Sequence, residues 1–267
     1  MTTEVGERLR SLYTSQGGVS HIFSAKAGDY NVARPDYPSP LFNALSEVLG
    51  VAPGSRVADI GSGTGLFTRG LLERGYVVTA VEPNAAMRAA AEATFAGVPG
   101  YRGVDGSAEA IPAKAGTIDL ITAAQAFHWF DIDRARAEFL RVLSPQGQVA
   151  LVWNDRLAGD SLHVALDEIL TEFGGEKRSA LVSHAGRGEL SRFFGTTTPL
   201  ELRWPHEQSL TQAGLLSLVF SRSYMPPQES DAGLHAAEKV SAVFREFAVG
   251  KTVAVRYTAV VYAGRPA

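Results

Sequence analysis

The chain has 267 residues, 45% hydrophobic and 20% charged, the balance of an ordinary globular protein with room for a substantial core. Its 28 acidic and 25 basic residues leave a net charge of -3 with no basic run, which argues against a nucleic-acid partner. The absence of cysteine excludes disulfide frameworks, thiolate metal sites and a cysteine nucleophile.

Residues 1–22 lack the apolar core of a signal peptide and read as a short helix, with Val5, Leu9 and Leu12 on one face. No apolar run approaches the ~18 residues of a spanning helix. A soluble, cytoplasmic protein without a membrane partner is therefore expected. Pro35, Pro38 and Pro40 make 30–40 an extended link, and Leu41–Leu49 has helical periodicity closed by Gly50. An alternating pattern follows. Strands are expected at 56–60, 77–81, 101–104, 118–123 and 148–153, and helices at 66–74, 85–95 and 134–143. A turn, Ser144-Pro145-Gln146-Gly147, separates the last helix from the fifth strand. Such alternation means a parallel sheet with helices on both faces. After Asn154 the rhythm changes to helices and loops over 160–195, a strand at 200–208, helices at 212–222 and 231–247, and a terminal strand at 252–262. This half reads as insertions decorating the sheet.

The first strand runs into Gly61-Ser62-Gly63-Thr64-Gly65 and a helix, where glycines let the backbone turn and a ligand approach main-chain N–H groups. A dinucleotide loop favours a small residue at the sixth position, but Leu66 and Thr68 stand there, counting from Gly61 or Gly63. Asp59, read as aimed into the loop, would repel a pyrophosphate and suit a ligand bearing an ammonium group. Glu82 ends the second strand 21 residues after Gly61, where a carboxylate can accept from both hydroxyls of a ribose. These features favour an adenosyl cofactor over a nicotinamide one; a nicotinamide-dependent oxidoreductase and a non-catalytic cofactor-binding protein are the alternatives. The six histidines have no ligand spacing, so no metal is expected.

VADIGSGTG followed by VEPNAAM resembles the cofactor-binding half of class I S-adenosylmethionine-dependent methyltransferases. Gly106-Ser107-Ala108-Glu109-Ala110-Ile111-Pro112 resembles the same family's third-strand signature, with Ser107 where Asp is common. Phe23-Ser24-x-x-Ala27-x-x-Tyr30, Arg34-Pro35-x-Tyr37-Pro38 and Ala124-Gln125-Ala126-Phe127-His128-Trp129-Phe130 are similar to small-molecule enzymes of the trans-aconitate group. The resemblance implies a Rossmann-like, seven-stranded, mostly parallel sheet, its last strand antiparallel near one edge. It also implies an N-terminal helix and lid segment over 1–40, a cofactor-binding core over 41–155, and a helical cap with the final strands over 156–267. S-adenosylmethionine would be the cofactor and S-adenosylhomocysteine the product, with no metal. Asp59 and Gly61 would lie near the methionine amino group, Ser62 and Gly63 would bind the cofactor with them, and Glu82 would hold the ribose. Pro83 and Met87 would flank the adenine, Ser107 would accept from its amino group, Ala108 would bind the cofactor and Gln125 lie beside it, and Tyr30 and Arg34 would take the methionine carboxylate.

The acceptor is a small molecule in this reading, a secondary metabolite or a carboxylic acid, bound over Phe127, His128, Trp129 and Trp153 with Arg222 and Tyr224 from the second half. The aromatic cluster reads equally as a pocket and as packing. His128 is a candidate general base or acceptor-positioning group. No Asn/Asp-Pro-Pro-Tyr/Phe element follows the fourth strand, which weighs against DNA or RNA as substrate. No feature of the sequence specifies an oligomeric state.

Overall fold

A computed structural model of the chain describes residues 34–184 and 187–267, without the side chains of 180–184. The expected helix over 1–22, the segment from Phe23 to Tyr30 and Tyr30 itself lie outside the described residues.

Helix α1 (Ser39–Glu47) precedes five strands and three α-helices: β1 (Arg56–Ile60), α2 (Leu66–Glu73), β2 (Val77–Val81), α3 (Ala85–Thr94), β3 (Tyr101–Val104), β4 (Ile118–Ala124), α4 (Ile132–Val142) and β5 (Leu143–Arg156). There follow α5 (Ser161–His184), α6 (Leu190–Phe194), β6 (Leu200–Leu210), α7 (Gln212–Phe220), α8 (Asp231–Phe247) and β7 (Val253–Gly264). The seven strands form one sheet in the order β3-β2-β1-β4-β5-β7-β6. The pairs β3–β2, β2–β1, β1–β4 and β4–β5 are parallel. This is the Rossmann-like arrangement, with the chain reversing direction across the sheet between β1 and β4.

The chain forms two compact units. The sheet unit comprises Tyr37–Asn154, Gly186–Trp204 and Ala259–Ala267; the helical unit comprises Asp155–Ala185 and Pro205–Thr258, with the described residues up to Asp36. In the sheet unit, successive strand residues alternate between two apolar layers. Ala58, Ile60, Ile121, Ala123, Val149 and Leu151 face one layer with α4 and α6, whereas Val57, Leu120, Ala150 and Val152 face the other with α1 and α2. Period-two alternation with apolar residues on both faces is what a sheet covered by helices on both sides requires.

Two expectations are corrected here. Residues 186–200 do not belong with the helical cap: Phe193 and Phe194 of α6 are fully buried in the sheet unit, where Phe193 meets Phe127 at 5.3 Å and Phe139 at 5.5 Å edge-to-face. Burying two phenylalanines against a third ring outweighs the short helix's weak propensity. The turn Ser144–Gly147 also does not precede β5 but lies inside it, as a register shift in which Ile118 pairs with Leu143 and Leu120 with Gln148. Arg265 holds it, its Nη1 donating to the carbonyls of Ser144 (2.7 Å) and Gly147 (3.0 Å).

The helical unit has its own core, built from α5, α7, α8 and the first half of β7 around Leu166, Leu170, Leu215, Phe220, Val240 and Val255. Helix α5 breaks at Gly175 (φ 53°, ψ -144°). A Cβ on the adjacent Gly174 would lie 2.9 Å from the Tyr224 ring, so the glycine pair supplies both the kink and the close approach.

Candidate functional site

The glycine loop connects β1 to α2 with three left-handed residues, Gly61 (φ 66°), Gly63 (φ 57°) and Gly65 (φ 89°). A Cβ at Gly61 would come within 2.7 Å of the Ala126 Cβ, so the loop packs directly on the segment after β4. The Gly61 and Ser62 N–H groups donate to the Val81 carbonyl at 2.9 and 3.2 Å, fixing the loop against the end of β2.

Glu82 stands at that end. Its side chain is buried; Oε2 accepts from Gly63 N (2.9 Å) and Oε1 from Asn84 N (2.8 Å). Burial pushes its carboxyl above the ordinary range, against the pull of those two bonds and the Arg88 guanidinium. Asn84 in turn caps α3, its side chain accepting from Met87 N at 3.0 Å. Gly63, Glu82, Asn84 and Met87 therefore form one continuous surface, with the Met87 sulfur 3.9 Å from where a Gly63 Cβ would sit. Pro83 is exposed beside it.

Asp59 is not aimed into the loop. It is 0% exposed, and its two oxygens accept from the Thr68 hydroxyl (2.6 Å) and the Thr122 hydroxyl (2.8 Å). Burial raises its pKa to about 6, against those two hydroxyls and with a smaller push from Glu82. Asp59 thus ties β1 to α2 and β4, and its charge acts on the loop through the field rather than by contact.

The loop between β3 and β4 is tied down by carboxylates. Ser107 and Ala110 exchange backbone bonds, Glu109 accepts from Asp131 N (2.8 Å), and Glu138 accepts from Ile111 N (2.8 Å). Ser107 Oγ accepts from Glu109 N at 3.3 Å and has a second lone pair with which to accept; Ala108 is buried. After β4, Gln125 is the one non-glycine residue with positive φ (56°) among the described residues. Such a conformation costs about 1–3 kcal/mol outside glycine and collects at functional positions. Backbone N of Gln125 donates to the Val152 carbonyl (2.9 Å) and Nε2 to the Asn154 carbonyl (3.4 Å).

Phe127 and Trp153 are core residues, their rings 5.9 Å apart and edge-to-face, whereas His128 and Trp129, 5.0 Å apart, are half-buried. Of the remaining expected residues, Arg34, Arg222 and Tyr224 belong to the helical unit, where Arg34 Nη2 donates to the Ser221 carbonyl at 3.3 Å. Sequence reasoning missed Thr68, Thr122 and Asn84. The Asn84 cap was open to it, since Asn immediately before an apolar-periodic run is a helix-start signal. Among the described residues, no grouping of three or more His, Cys, Asp or Glu could hold a metal ion. No helix among them is long and apolar enough to cross a membrane.

Residues 58–151, which carry this geometry from β1 to β5, match a family model described as a methyltransferase domain. The chain is 35% identical over 210 residues to an uncharacterized methyltransferase of Mycobacterium bovis, covering 79% of this chain and 80% of the relative. The chain belongs to the class I S-adenosylmethionine-dependent methyltransferases. A methyltransferase-like protein of Schizosaccharomyces pombe is 30% identical over 218 residues, covering 80% of this methyltransferase and 83% of its own length. The fold of the methyltransferase is shared with a structure assigned as a type II methyltransferase from Anaeromyxobacter dehalogenans, with a TM-score of 0.63 and 24% identity over 87% of this chain and 97% of that one. Membership of the family disposes of the nicotinamide-dependent alternative.

Proposed function

We propose that this methyltransferase modifies a small-molecule acceptor, with S-adenosylmethionine held along the carboxyl ends of β1, β2 and β4. The observation that carries the cofactor assignment is the buried Glu82 carboxylate, bonded at once to the loop (Gly63) and to the start of α3 (Asn84). A carboxylate offers roughly four acceptor positions. Two are used here, and two remain for the hydroxyls of a ribose.

The other residues fit the same group. Among the described residues, a Cβ on Gly63 would meet the Met87 sulfur alone, at 3.9 Å, so a ligand can approach its backbone where a side chain would stand. Pro83 and Met87 suit the faces of an adenine, and Ser107 its amino group. Gly61 and Ser62 suit the methionine portion, as does the negative field of Asp59, which is largely ionised at neutral pH. Tyr30 and Arg34 are assigned to the methionine carboxylate, as the resemblance implies. When bound, the cofactor supplies an electrophilic methyl group on a sulfonium. The protein's part is to orient and to exclude water, since an in-line displacement gains most from positioning. His128 orients the acceptor or removes its proton, beside Trp129 and the strained Gln125.

The net charge of -3 and the sequence after β4 support a small molecule over a nucleic acid. Release of S-adenosylhomocysteine tests this, measured with panels of small acids, alcohols and amines and with RNA and DNA. Release with a small molecule alone is expected; release with nucleic acid alone contradicts the proposal.

A further inference from the structure

One face of α5 borders an open depression of about 880 Å³ in the helical unit, lined also by residues 155–159 at and beyond the end of β5. His163 and Val164, Asp167 and Glu168, Thr171 and Glu172 recur at four-residue spacing, so the helix turns all six to the same side. The whole lining falls within Asp155–Ala185 of that one unit.

The lining is rich in acceptors. Four carboxylates, Asp155, Asp167, Glu168 and Glu172, stand against one guanidinium, Arg156. Asp167 is already engaged, accepting from Arg156 (2.9 Å) and from Arg178 (2.7 Å from each oxygen). Glu168 is exposed. Glu172 holds the Lys239 ammonium at 2.5 Å, a surface pair of the kind that contributes little and that a ligand ammonium can share or replace.

His163 adds an unfilled acceptor. The residue is 6% exposed, and its Nε2 lies 2.6 Å from the Arg256 carbonyl. A carbonyl only accepts, so Nε2 carries the proton and Nδ1 is left with a lone pair. That Nδ1 is buried and has no hydrogen-bond partner. Burial holds His163 below the ordinary histidine range against the pull of the Arg256 carbonyl, and Arg156 and Arg222 push the same way, which favours the neutral ring. Arg256 is no part of the lining, so the ring spends its proton elsewhere and has only a lone pair to offer here.

Carboxylates and an imidazole lone pair only accept, so the complementary ligand donates and is positive. The same charge balance disfavours an anion. A compact metal ion is also a poor match, because among the described residues no grouping of three or more His, Cys, Asp or Glu could hold one. The acceptors are instead spread along the helix, about 13 Å from His163 to Glu172 at 1.5 Å per residue. Beside them Leu157 and Val164 are 43% and 53% exposed, aliphatic surface that a hydrocarbon chain would take out of water. We propose that this depression binds a linear aliphatic polyamine, its ammonium groups donating to His163 Nδ1, Glu168 and Glu172 and its methylenes lying on Leu157 and Val164. Binding, not methylation, is assigned to it.

The test is calorimetric titration of the full chain, at low ionic strength, with spermidine, with the neutral 1,8-octanediol and with magnesium chloride. Wild type is compared with His163→Phe, Glu168→Gln and Glu246→Gln, the last an exposed charge on α8 outside the lining. Spermidine is expected to bind the wild type more tightly than either control. The expected loss is about ten-fold in His163→Phe and about five-fold in Glu168→Gln, with Glu246→Gln within about two-fold of wild type. No binding of spermidine overturns the proposal, as does octanediol or magnesium binding as tightly. Equal losses in Glu168→Gln and Glu246→Gln also overturn it, since net charge rather than a site would then attract the amine. If His163→Phe does not fold, that pair of exposed variants still decides. The titration needs no cofactor, so its failure leaves the cofactor assignment and the acceptor panel standing.

Discussion

The sheet unit and the helical unit both hold carboxylates in hydrogen bonds, but with different partners. In the sheet unit Asp59 accepts from two threonine hydroxyls and Glu82 from two backbone N–H groups, all neutral donors, and burial raises both carboxyls above the ordinary range. In the helical unit Asp167 accepts from the guanidiniums of Arg156 (2.9 Å) and Arg178 (2.7 Å from each oxygen), which hold its carboxyl below the ordinary range against its partial burial. The comparison separates a cradle whose Glu82 can still accept from a ligand from a carboxylate that its own unit has already neutralised.

Five substitutions can break or sharpen that contrast. The largest effect is expected at Gly61→Val, which forces a branched side chain into φ 66° and onto Ala126. Strain and overpacking together should cost about 4 kcal/mol, read as lost S-adenosylhomocysteine affinity and a lower unfolding midpoint. Unchanged affinity would mean that the loop does not bind the cofactor.

Asp59 comes next and is a pH experiment. Its folded pKa of about 6 lies above the 3.8 of an ordinary aspartate. A raised carboxyl favours the fold fully below the unfolded pKa, and that contribution is lost as pH rises through the folded one. Asp59→Asn carries no such titration. Its stability relative to wild type should therefore improve by up to about 3 kcal/mol between pH 4 and pH 7. A difference that does not vary with pH would remove the burial argument.

His128→Ala should slow turnover by about 100-fold if the imidazole takes a proton, with cofactor affinity within about two-fold of wild type. Normal turnover would reduce His128 to packing on Trp129. Glu82→Ala should weaken S-adenosylhomocysteine binding by roughly 1–3 kcal/mol, and unchanged binding would remove the ribose assignment. The smallest effect is expected at Gln125→Gly: relief of the left-handed backbone should stabilise the fold by about 1 kcal/mol while turnover falls. Loss of both stability and turnover would show that the side chain's bond to Asn154 outweighs the strain.

The sheet unit was largely legible in the sequence because local rules determine it. Strands β1, β2 and β3 lie where alternation and flanking glycines put them, and β4 ends one residue later than expected. Long-range partners were not legible. The threonines that hold Asp59 stand nine and 63 residues away, and the arginine that holds the turn inside β5 lies at the end of the chain. Nothing local marks α6 as part of the sheet unit, because its two phenylalanines read equally well as the apolar face of a cap. In the helical unit the sequence pointed to Arg222 and Tyr224.

The central claim is that the glycine loop and Glu82 bind an adenosyl cofactor, and calorimetric titration tests it most directly. The purified protein would be titrated with S-adenosylmethionine, S-adenosylhomocysteine and the oxidised and reduced nicotinamide cofactors. Binding of the two adenosyl ligands alone, at dissociation constants on the order of micromolar, is the predicted result. Binding of a nicotinamide cofactor with no binding of either adenosyl ligand would contradict the account.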